Sequence, residues 1–203
     1  MRDNNGAKPL QKEAAKRNEK LSGGAPWRTL DLCLTILAVL VFATVLRGAV
    51  LEPVRVEGSS MLETLQPSDY MFVEKVSYAF EKPKVGDIVI CYYPDAYYEQ
   101  SGKAYRSRVK RVVAVAGDTV QSIDGVLLIN GIPLDEPYLS DAHSYTAGIE
   151  TPIVIAEGEV FVLGDNRINS NDSRNALVGA IPLNRIVGKA HFVLFPFSHM
   201  HGV

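Results

Sequence analysis

Ser60, in Gly58-Ser59-Ser60-Met61, stands 13 residues beyond Arg47, where a long apolar run ends. A serine hydroxyl is a poor nucleophile until a neighbouring base takes its proton, so its chemistry depends on the base the fold brings to it. Histidine is the usual partner. His143 falls in an irregular stretch, His191 in a late strand, and His199 and His201 in the last five residues. The segment Gly58-Ser59-Ser60-Met61-Leu62 lacks the second glycine of a G-x-S-x-G elbow, and nothing local supports a Ser-His-Asp triad. The other route is a lysine held neutral. A free lysine, with a pKa of about 10.4, is useless as a base at neutral pH, but desolvation lowers it to about 7–8. Lys110, in Arg108-Val109-Lys110-Arg111-Val112-Val113-Ala114-Val115, is placed for this. Strand alternation sends Lys110, Val112 and Ala114 to one face and Val109, Arg111 and Val113 to the other. The small apolar neighbours would bury its stem, yet strand logic alone favours a lysine that is simply exposed.

The elements that must position this pair begin in the membrane. Residues 30–50 form an apolar run, densest over 32–46 and bracketed by Asp31 and Arg47. About 20 residues at ~1.5 Å rise cross a bilayer core of roughly 30 Å. No A-x-A-like site follows in residues 47–53, so an uncleaved signal-anchor is expected rather than a removed leader. Residues 1–28 carry seven basic against three acidic residues, a balance of +4, which predicts a cytoplasmic N-terminus and an exported C-terminal part. The net charge of −2 gives no case for nucleic-acid binding. Cys33 falls inside the span and Cys91 outside it, so no internal disulfide is expected.

After Val50 the pattern changes to short β-like runs divided by Gly, Pro, Asp and Asn. Strands are expected near residues 54–57, 70–75, 87–93, 106–116, 119–123, 126–129, 160–163 and 187–195. Asp124-Gly125 and Asn130-Gly131 favour tight turns. Only residues 61–65 and 173–177 suggest short helices beyond the membrane. Residues 138–151 read as a surface excursion and the terminal His199-Met200-His201 as a frayed tail. The fold class expected is mainly β: an antiparallel β-rich domain preceded by one N-terminal transmembrane helix. The boundaries are a basic tail over 1–28, a span over 29–50 and an exported domain over 51–203.

Several motifs, in order, carry a resemblance. Glu52-Pro53, Gly58-Ser59-Ser60-Met61 with Thr64-Leu65, residues 69–75, Gly86-Asp87-Ile88-Val89, Lys110-Arg111-Val112-Val113 with Gly117-Asp118, and Gly164-Asp165-Asn166-Arg167 with Ser170, Asp172, Ser173 and Arg174 resemble the boxes of bacterial type I signal peptidases. The likeness is to the single-span subtype and runs from the span to about Phe195. It implies a hydrolase, a membrane serine protease working in protein secretion by a Ser-Lys dyad without cofactor or metal. Ser60 would be the nucleophile and Lys110 the general base. Ser170 would orient the lysine amine, and Asp165, Asp172 and Arg174 would brace the site through ionic contacts. Val54, Val56, Leu65 and Val109 would line pockets for small side chains at −1 and −3. It also implies a smaller inserted β portion over about 119–155. The partners implied are precursors bearing a signal peptide, and membrane lipid; one span and one small domain suit a monomer in the plasma membrane.

Two positions depart from the family pattern. Gly58 stands where some relatives carry a serine that adds an oxyanion donor, which leaves the hole to backbone N–H groups, chiefly that of Ser60. Glu63 stands where proline is common and leaves its turn less constrained. Two rival readings remain. One is an anchored β module that binds exported partners without catalysis. The other is a Ser-Lys self-cleaving regulator, which should carry a DNA-binding helix-turn-helix where this chain has a basic tail and a span. The loop over 165–176 fails as an EF-hand, since it has Ser170 and Ala176 where glycine and glutamate are needed.

Overall fold

The computed structural model describes residues 26–49, 51–62, 64–140 and 144–203. The basic tail up to residue 25, Glu63 and His143 lie outside the described residues. The chain divides between Leu46 and Arg47 into two units.

Helix α1 runs from Pro26 to Ala49. Within it Trp27–Thr44 is long and apolar enough to cross a membrane. On it Leu30, Leu34, Leu37, Val41 and Phe42 are more than half exposed. In water such a surface would be costly; in hydrocarbon it is the solvated face. The hydroxyls of Thr35 and Thr44 donate to the carbonyls four residues back, Asp31 and Leu40, each at 2.7 Å, so neither is left bare.

The second unit is built on twelve strands among the described residues: β1 (Leu51–Arg55), β2 (Tyr70–Glu74), β3 (Ile88–Cys91), β4 (Arg108–Val115), β5 (Thr119–Ile123), β6 (Val126–Ile129), β7 (Ile132–Pro133), β8 (Ile153–Val154), β9 (Glu159–Leu163), β10 (Ile181–Pro182), β11 (Ile186–Phe195) and β12 (His201–Gly202). Eight form one sheet in the order β1-β2-β11-β3-β4-β9-β10, with β12 on β11; β7-β6-β5-β8 form a second. Every pairing is antiparallel. Asp124 and Asn130 take positive φ (50° and 55°) ahead of Gly125 and Gly131, giving the tight turns at each end of β6.

The main sheet is covered on both faces. In β3, Val89 and Cys91 join one apolar cluster with Tyr93, Tyr97, Val112 and Val162, while Ile88 and Ile90 join a second with Val56, Met61, Leu65, Met71 and Val73. A third cluster, Val113, Ala114, Val120, Leu127, Phe161 and Leu163, ties the second sheet to β4 and β9. Burying one such aliphatic side chain contributes about 1.5–3 kcal/mol.

The structure corrects several expectations. A register shift between Val112 and Ala114 breaks the alternation of β4, so Ala114 joins Val113 and not the Lys110 face. Residues 61–62, 64–65 and 173–177 make turns and bends rather than helices. Instead a short helix α2 (Asp95–Ser101) carries the buried Tyr97 and Tyr98. The C-terminal histidines are held, not frayed: His201 pairs in β12 and its Nε2 lies 3.0 Å from the Thr64 carbonyl.

Candidate active site

The loop from β1 to β2 carries the serine. It is closed at its base by Val56 N–H donating to the Asp69 carbonyl (2.8 Å) and Ser68 N–H to the Val56 carbonyl (2.9 Å). Gly58 sits at φ +86°, a left-handed conformation that disfavours serine at this position. Behind it the segment 164–169 pins the turn. Asn166 donates through its backbone N–H to the Ser60 carbonyl and through Nδ2 to the Ser59 carbonyl, both at 3.0 Å. Asn169 Nδ2 donates to Ser59 Oγ at 2.8 Å. Gly164 allows this approach: a Cβ there would stand 2.4 Å from the Ser60 carbonyl oxygen and 2.2 Å from Ser170 Oγ. Among the described residues the Ser60 N–H meets no acceptor.

Lys110 arrives from β4, which places its amine 2.6 Å from Ser60 Oγ and 2.9 Å from the Val109 carbonyl. The side chain is 2% exposed, overturning the exposed reading that strand logic alone favours. Burial pushes its pKa down to about 8, against the pull of the Asp172 carboxylate and with a further push from Arg108. A lysine in that range keeps a neutral fraction near neutral pH, and a neutral amine can accept the hydrogen of a serine hydroxyl.

Buried ion pairs hold both partners. Arg111 grips Asp165 through two bonds, Nε to Oδ1 at 2.9 Å and Nη2 to Oδ2 at 2.8 Å. The same Asp165 Oδ2 accepts from Thr64 Oγ1 at 2.6 Å, which ties the pair to the serine loop. The Arg111 guanidinium lies 3.8 Å from the Tyr138 ring centroid. Asp172 accepts from Arg174 Nε (2.8 Å) and from the Gly164 N–H (3.0 Å). Burial works to raise the Asp172 carboxyl, but Arg174, Ser170 and the Gly164 N–H outweigh it and hold it below the ordinary carboxylate value. Arg167, fully buried, pairs with Glu136 and donates to Thr146 Oγ1 at 2.6 Å.

Ser170 Oγ is buried and has no hydrogen-bond partner among the described residues, although it stands close enough to the Asp172 carboxylate to help hold it low. It makes no bond to the lysine amine in this state. Ser60 and Lys110 open into a groove of about 620 Å³, walled by residues 54–61 and 106–110. Val54, Val56 and Val109 line it. Leu65 does not; it is completely buried behind the wall in the cluster of Val56 and Met61. Asn166, Asn169, Thr64 and Arg111 are the structural partners that sequence reasoning did not assign. Asn166 and Arg111 each lie beside an assigned residue, which is the signal that could have found them.

The protein-family model for signal peptidase, peptidase S26, matches residues 29–195. Over 175 residues the chain is 39% identical to the probable signal peptidase I-1 of Synechocystis sp., covering 86% of this chain and 87% of that protein. It is 40% identical over 173 residues to signal peptidase I T of Bacillus subtilis, covering 81% and 84% of the two. A crystal structure of a signal peptidase I from Enterococcus faecalis matches 56% of this chain and 97% of that one at 29% identity, with a TM-score of 0.41. The family model over most of the chain and the Synechocystis and Bacillus relatives matched over most of their length carry one conclusion. The chain is a serine peptidase, a hydrolase that belongs to the signal peptidase family, peptidase S26.

Proposed function

We propose that this chain removes signal peptides from exported precursor proteins by a Ser60/Lys110 acyl-enzyme mechanism, cleaving after small residues at −1 and −3. The observation that carries the reading is the 2.6 Å contact between a buried Lys110 amine and the Ser60 hydroxyl. Neutral Lys110 takes the Ser60 proton as Oγ attacks the scissile carbonyl. Ser60 N–H stabilises the oxyanion, worth roughly 3–4 kcal/mol per donor in comparable sites. Protonated Lys110 gives its proton to the leaving amine, then accepts one from the water that hydrolyses the ester. Ser170, which makes no bond to Lys110 in this structure, is the hydroxyl assigned to orient the amine once it turns toward it, and Asp165, Asp172 and Arg174 keep the loop and lysine in register. The precursor lies as an extended strand between residues 54–57 and 107–109. Val54, Val56 and Val109 leave only shallow apolar room for its side chains, with Leu65 as backing.

The placement follows the same reading. Residues 1–28 stay in the cytoplasm, residues 29–50 anchor the chain in the plasma membrane, and residues 51–203 act as a monomer on the outer side. The basic flank and the apolar Trp27–Thr44 segment support this. A substrate still held in the bilayer by its signal segment explains why a nucleophile would stand 13 residues past Arg47.

The test is cleavage of a signal-bearing precursor in detergent or vesicles. The unmodified chain should release the mature product, and Ser60→Ala should release none while keeping its near-ultraviolet circular dichroism. Release by Ser60→Ala would end the proposal.

A further inference from the structure

One stretch of the groove has a chemistry the cleavage reading does not use. Arg108, half-buried on β4, lines the groove two residues before Lys110. No carboxylate pairs with it among the described residues. The acidic groups nearby are already engaged: Glu57 with Arg106 at 2.9 Å, Asp165 with Arg111, Asp172 with Arg174. A second cation stands on the same stretch, Lys103, whose amine lies 5.9 Å above the Tyr97 ring. It too lines the groove and has no carboxylate partner among the described residues. A partly desolvated guanidinium without counter-charge is poorly compensated by the protein itself, and its planar fork suits a carboxylate.

We propose that Arg108, assisted by Lys103, forms a subsite for an acidic side chain of the substrate. The inference rests on the peptidase reading above and deepens it. Alternation says which substrate residue reaches it. Val109 packs with the cluster of Val56 and Met61, while Arg108 and Lys110 point to the other face of β4. A substrate strand that turns its −1 and −3 side chains toward Val54, Val56 and Val109 turns −2 and +1 toward Arg108. A glutamate or aspartate at one of those positions would supply the missing counter-charge.

The experiment uses the full chain in detergent and fluorogenic peptides that share small residues at −1 and −3. They differ only in Glu, Gln or Lys at −2, or at +1. At low salt the Glu peptide should have a kcat/KM about five- to tenfold above its Gln partner at one of the two positions, between the effect of an exposed ion pair and that of a buried charge-assisted bond. Arg108→Gln should bring that ratio close to one, and Arg108→Glu should transfer the preference to the Lys peptide. Should either variant not fold, Lys103→Gln, in an exposed loop, must lower the ratio; an unchanged ratio there overturns the two-cation site. Equal cleavage of Glu and Gln peptides by the unmodified chain overturns the subsite and leaves the peptidase standing. Cleavage of no peptide overturns the peptidase reading, and the subsite falls with it.

Discussion

The pH dependence of cleavage follows directly from the burial of Lys110. Burial pushes its amine down to about 8 from the ordinary lysine value of 10.5. With that midpoint the neutral, reactive fraction is about 9% at pH 7 and about 91% at pH 9, a tenfold rise that then levels off. A lysine with the ordinary value would have about 0.03% neutral amine at pH 7 and about 3% at pH 9, a hundredfold rise with no plateau. The two cases differ in amplitude and in shape. Initial rates on a fluorogenic peptide held far below KM, from about pH 6 to pH 10.5, report the free-enzyme titration. A slope of one that bends to a plateau above about pH 8 is expected. A flat profile would mean that no lysine titrates, and unit slope persisting beyond pH 10 would mean that burial does not tune it.

Three further outcomes are expected. Because the folded-state value of Lys110 lies below its unfolded value, the unfolded chain binds more protons between about pH 8 and 10.5, so stability should rise with pH across that window. Below it the buried ammonium costs about 3 kcal/mol, so Lys110→Met should stabilise the domain by about 1–3 kcal/mol at pH 7 and by less at pH 10, read by urea unfolding; a destabilised variant would contradict this. Gly164→Ala forces a Cβ to within 2.4 Å of the Ser60 carbonyl, and a displacement of that kind should lower kcat about a hundredfold while KM changes little; near-normal kcat would show that the 164–169 segment does not set the nucleophile. Asp165→Ala strands the buried Arg111 guanidinium and should cost about 3–5 kcal/mol in urea unfolding; a loss below 1 kcal/mol would show that water reaches the pair.

Legibility in the sequence tracked sequence distance. Strands β2, β5, β6 and β11 are visible within a residue or two because alternation and Asp-Gly or Asn-Gly turns are local signals. The two-residue strands β7, β8, β10 and β12 are too short for any pattern to announce them. Helix α2 is not legible, since its seven residues (DAYYEQS) bury two tyrosines and carry no apolar stripe. Ser60 and Lys110 could be named as a pair from motifs, but whether Lys110 is exposed turns on a loop from 50 residues away. The Arg111–Asp165 and Asn166–Ser60 contacts depend on the same long-range closure. Ser170 shows the opposite limit: its place is legible, yet its hydroxyl makes no bond to the lysine amine.

Trapping of the acyl-enzyme tests the central claim most directly. The full chain is treated with a serine-directed acylating probe at pH 9, digested and sequenced by mass spectrometry, beside Lys110→Met. A single adduct on Ser60, lost in a Lys110→Met variant that keeps its near-ultraviolet circular dichroism, is the result predicted. An adduct that forms on Ser60 at the same rate without Lys110, or on a different residue, would contradict it.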